Sequence, residues 1–76
     1  MTNETAKTML TQAIKLSPYG MQRSTLAAKR ICVNKCDKNW VKFIELVEDK
    51  MSWDKKSDTV TKIKEYIVFC IEKEVA

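Results

Sequence analysis

Only one glycine and one proline occur in these 76 residues, Gly20 and Pro18, and both fall in the single stretch Leu16-Ser17-Pro18-Tyr19-Gly20. Short strands need frequent turn residues, so a chain with one such cluster is not an all-β or loop-rich protein. Apolar residues make up 45% and charged residues 32% of the chain, which suits a packed domain and not a disordered one. The length allows one domain, residues 1–76, with a core near the lower limit for independent folding.

Apolar spacing predicts four helices. Ala6, Met9, Leu10, Ala13 and Ile14 lie on one helical face behind Thr2 or Asn3 as cap. The Leu16–Gly20 cluster ends that helix, because the residue before proline avoids the α region and Gly20 can take positive φ. A short second helix is expected after a Ser24 or Thr25 cap, with Leu26, Ala27 and Ile31 as contacts and small Ala27 and Ala28 allowing close approach. A break is expected at Cys32–Asn34. The third helix is expected to start near Asn34, with Cys36, Trp40, Phe43, Ile44, Val47 and Met51 inward. Met51–Lys56, which contains Trp53, reads as a connection. Ser57 or Asp58 caps the fourth helix. There Val60, Ile63, Tyr66, Ile67, Phe69, Cys70 and Ile71 cover more than half the circumference, so burial on more than one side is required. A second copy of the chain is the expected cover, with Ile63, Tyr66, Ile67, Phe69 and Cys70 as self-association residues. The fold class is therefore all-α, with residues 1–56 a helical unit and residues 57–76 its C-terminal helix. A strand over Tyr66–Ile71 is the competing reading, and the charged flanks KIKE and EKE weigh against it.

Charge is uneven along the chain. Residues 1–44 hold eight Lys/Arg against Glu4 and Asp37, whereas residues 45–76 hold six Lys against eight acids. A basic half of this kind suits a polyanion, nucleic acid being the commonest, or is simply a solvated face. Lys35, Lys38, Asn39 and Lys42 would form one polar ridge on the third helix, opposite its aromatic face.

Several functions are disfavoured. Cys32, Cys36 and Cys70 form no CxxC pair, and no histidine is present. Three thiols without imidazole fall short of a zinc site, so no metal or cofactor is expected and the cysteines read as buried apolar side chains. No histidine, no evident carboxylate pair and no Gly-rich phosphate loop argue against an enzyme. The longest apolar run, Tyr66–Ile71, is too short for a membrane span, and the N-terminus lacks a signal-peptide layout. A cytoplasmic protein is expected.

The stretch STLAAKRICVNKCDKNWVKF, Ser24–Phe43, resembles a helix-turn-helix. Ala28, Ile31 and Val33 match the small and apolar positions of phage-repressor-type units, and Cys32 stands at the turn glycine. Lys38 stands at the first inward apolar position and Val41 at the second. For Trp40 and Phe43 to face inward, the turn must be longer than standard. VNKCDKNWVKFIELVEDKMSW is similar to phage CII-type transcriptional activators through Val33, Lys35, Trp40, Lys42-Phe43, Leu46 and Trp53. That similarity covers about residues 26–73 and needs a gap, and the chain is shorter than the family through the recognition helix. It implies four helices, self-association through the last, and activation from phage promoters.

The resemblance and the charge together predict a small DNA-binding transcriptional regulator that acts as an oligomer. Lys35, Lys38, Asn39 and Lys42 would face the major groove, while Arg23, Ser24, Lys29 and Arg30 would contact phosphates. The alternative is a small helical adaptor or inhibitor, phage-encoded, that binds a host protein through Tyr19, Met21, Met51 and Trp53.

Overall fold

A computed structural model describes residues 2–51 and 58–73. It is all-α, with four helices in the order α1 (Asn3–Leu16), α2 (Met21–Lys35), α3 (Trp40–Lys50) and α4 (Thr59–Lys73). Each helix packs against the other three.

Capping residues set most of the boundaries. Thr2 Oγ1 accepts from the Thr5 backbone N–H and starts α1. After Ser17 and Pro18 the chain reverses, and Gly20 sits at φ 80°, ψ 163° immediately before α2. Only glycine adopts that conformation without strain. Asp58 Oδ1 accepts a 2.7 Å bond from the Thr61 N–H at the head of α4, and this bond holds its carboxyl below the usual carboxylate range. Ser57, the other candidate cap, and Trp53 lie outside the described residues.

The second and third helices correct the sequence reading. α2 begins at Met21, so Ser24 is not a cap but a fully buried residue within the first turns. No glycine or proline interrupts Cys32–Asn34, and α2 runs straight through it to Lys35. Its inward set is Ser24, Ala27, Ala28, Ile31 and Cys32, extended by Cys36 at the cap, a helical spacing that continues past the expected break. The reversal comes at Cys36–Asn39, where Asp37 and Lys38 both have positive φ, 52° and 63°. The Cys32 carbonyl accepts from both the Cys36 and Lys38 N–H groups, which satisfies the open end of α2. α3 then starts at Trp40, not near Asn34. Asn39 Oδ1 accepts from the Val41 and Lys42 N–H groups at 2.9 and 3.3 Å. The long connection does let Phe43 reach the core, where it is fully buried, with Trp40 half-buried edge-on to its ring at 6.1 Å.

α4 is the most enclosed helix. Ile63, Tyr66, Ile67, Cys70 and Ile71 are all buried within this one chain. The cover expected from a second copy comes instead from α1, α2 and α3. Of the residues expected to drive self-association, only Phe69 is exposed, at 50%; Ile63, Tyr66, Ile67 and Cys70 are core. The three thiols, Cys32, Cys36 and Cys70, are buried as well, and burial raises the pKa of each.

Candidate nucleic-acid interface

The expected polar ridge does not form on α3. Lys35 is the last residue of α2, Lys38 lies in the reversal, Asn39 is committed to capping, and only Lys42 belongs to α3. Lys42 Nζ lies 3.5 Å from Asp37 Oδ2, an exposed pair that offsets its charge locally. The remaining exposed charges on α3 are Glu45, Glu48, Asp49 and Lys50. A helix that presents three carboxylates is poorly suited to enter a groove walled by phosphates.

α2 carries the opposite character. Its 15 residues include Arg23, Lys29, Arg30 and Lys35 and no acid. All four are exposed, and none has an acidic partner among the described residues. Leu26 and Val33, seven residues apart, form the midline of the outward face, 50% and 53% exposed. Lys29 falls on one side of that line, Arg30 and Arg23 on the other. Gln22 stands one turn before Leu26, also exposed. The result is a helix face with a central strip of Gln22, Leu26 and Val33 and cations along both margins. Lys38, also exposed, lies in the reversal just beyond the end of α2.

Positions around α2 are fixed by a small polar cluster. Ser24 Oγ donates to Ser17 Oγ, which also accepts the Tyr19 N–H at 3.2 Å. Tyr19 Oη donates to Glu72 Oε1 at 3.0 Å, and this hydrogen bond, with a smaller contribution from burial, raises the phenol pKa. The Arg23 guanidinium lies 5.0 Å from the centre of the Tyr19 ring. This contact sets the Arg23 guanidinium at the margin of the α2 face.

Of the eight residues singled out for nucleic-acid contact, the structure thus brings Arg23, Lys29 and Arg30 together on one face, with Lys35 and Lys38 beyond it. Ser24 is excluded by burial, Asn39 is occupied as a cap, and Lys42 faces Asp37. Gln22, Leu26 and Val33 were missed as outward-facing residues. The absence of any acid between Lys15 and Asp37 was the signal that could have directed attention to α2. Against the three kinds of comparison, no protein-family model, no curated protein and no solved structure matches this chain.

Proposed function

We propose that this chain is a small nucleic-acid-binding regulator that contacts duplex DNA with the outward face of α2. The observation that carries the reading is the acid-free run of α2, with exposed cations on both margins of an exposed apolar strip. A helix in the major groove meets phosphate on both sides and base edges in the middle. Arg23, Arg30 and Lys29 suit the two phosphate walls. Gln22 offers the amide geometry that pairs with adenine, and Leu26 and Val33 offer apolar contact to thymine methyls. Lys38 supports the same reading from a different direction. It holds a positive φ that glycine would adopt without strain, and strain of this kind gathers at functional positions.

This assignment shifts the contact helix from α3 to α2 relative to the helix-turn-helix resemblance. Transcriptional control and a phage setting rest on that resemblance alone. Titration of the 15N-labelled protein with a mixed-sequence duplex tests the reading. Shifts are expected at the amides of Gln22, Leu26, Lys29, Arg30, Val33 and Lys38. Shifts centred on α3, or none at low salt, would refute it.

A further inference from the structure

Beside the basic face lies a trough of different character. Leu10 and Ile14 of α1, Met21, Thr25 and Ala28 of α2 and the Trp40 ring at the head of α3 line an open groove of about 400 Å³. It runs on into a depression of about 320 Å³ through Met21, Thr25 and Lys29, which ends at Leu26. The volume lies within the roughly 300–1,000 Å³ usual for ligand clefts. Leu10, Ile14 and Ala28 are core residues at its floor, while Met21, 57% exposed, and Leu26, half exposed, stay open to solvent in the single chain. Among the described residues its charged lining is Lys7 on the α1 side and Lys29 on the α2 side.

From this we infer that the groove between α1 and α2 receives an acidic amphipathic helix of a partner protein. Charge selects the occupant. An apolar floor takes large side chains spaced three and four apart on a helix, and the two lysines, one on each wall, take carboxylates flanking them. For a second copy of this chain as occupant, the large apolar residues Phe43, Ile44 and Val47 of α3 are buried and form no outer ridge. Its α4, however, exposes Phe69 beside Glu65 and Glu72, so groove shifts that grow with protein concentration in the absence of peptide would overturn the inference in favour of a second copy. The inference goes beyond duplex binding and uses a neighbouring surface that meets the duplex face at Gln22, Leu26 and Lys29.

The test uses a synthetic amphipathic peptide with leucines at helical spacing and glutamates beside them. Saturable shifts are expected at the methyls of Leu10, Ile14, Met21 and Ala28 and at the Trp40 indole N–H. The same peptide with lysines in place of glutamates should bind at least about tenfold more weakly. Thr11→Glu places a carboxylate on an exposed groove position and should weaken the acidic peptide by a similar factor. An unchanged thermal melt would show that this variant remains folded. Equal binding of both peptides, no effect of Thr11→Glu, or no shift at about 1 mM peptide would overturn the inference. Decanoate producing the same shifts at lower concentration than the peptide would also overturn it, assigning the groove to small anionic amphiphiles. None of these outcomes bears on the duplex, which is read at Arg30 and Val33, outside the groove lining.

Discussion

The hydroxyl of Ser24 donates a 2.7 Å hydrogen bond to the hydroxyl of Ser17, pinning the first turns of α2 to the end of α1. Ser24 is fully buried, so this bond replaces water that its hydroxyl would otherwise keep. Ser24→Ala should therefore lower stability by about 1 kcal/mol in a denaturant titration. Duplex affinity, measured where the variant is fully folded, should not change. A loss of affinity without a loss of stability would return Ser24 to the contact surface.

Lys38 separates stability from binding. At φ 63° its backbone is in the left-handed region, which disfavours residues other than glycine. Lys38→Gly should raise stability by about 1 kcal/mol. The same variant should bind duplex DNA more weakly, because one cation leaves the basic surface. Anisotropy titrations and thermal melts on the same preparation would show the two effects moving in opposite directions.

Asn39 and Gly20 test the boundaries of α2 and α3. Asn39→Ala removes the acceptor for two N–H groups and should destabilise the fold by about 1 kcal/mol. Adding a Cβ at Gly20 meets no atom within 4 Å, so Gly20→Ala tests backbone conformation alone. A loss on the order of 1–3 kcal/mol is expected from its positive φ. Urea unfolding of both variants measures these values.

The core carries four acids that stay neutral. Burial pushes Tyr66 up to about 12 and raises Cys32, Cys36 and Cys70 above the ordinary thiol value. In the unfolded chain these groups ionise at their ordinary values, about 9.0 for thiols and 10.0 for the phenol. Above those values the unfolded state binds fewer protons than the native state, so stability falls as pH rises. The contribution is fully present below about pH 9 and is lost progressively as pH climbs towards 12. A melting series from pH 7 to pH 11 should be flat at first and then decline. Alkylation of the thiols in the folded protein should be slow and should accelerate with denaturant, since a buried neutral thiol is a poor nucleophile.

Much of the fold was legible because each helix has its own apolar period and the turn residues are concentrated at Ser17–Gly20. The end of α1, its inward set and the helical state of α4 followed from those signals, and the pairs Thr2 or Asn3 and Ser57 or Asp58 contained the caps that the structure shows at Thr2 and Asp58. The boundary between α2 and α3 did not. Asn34 and Asn39 are both good caps by type, and the segment between them holds no glycine or proline to mark the reversal. Two non-glycine residues with positive φ make that turn, a solution the sequence does not announce. Moving the boundary by five residues dissolved the expected ridge on α3 and left α2 as the basic helix. The wide apolar face of α4 requires burial on several sides, and the structure supplies it. Its cover could not be assigned from sequence, because three helices of the same chain and a second copy satisfy the same pattern.

The most direct test of the α2 assignment is the salt dependence of duplex binding for the parent and for the triple variant Arg23→Ala, Lys29→Ala, Arg30→Ala. All three side chains are exposed, and a thermal melt verifies that the variant remains folded. The parent's affinity should fall steeply with salt, and the variant's slope should be shallower by about one unit for each lost phosphate contact. A triple variant that keeps the parent's affinity and slope, or a parent whose binding does not respond to salt, would contradict the account.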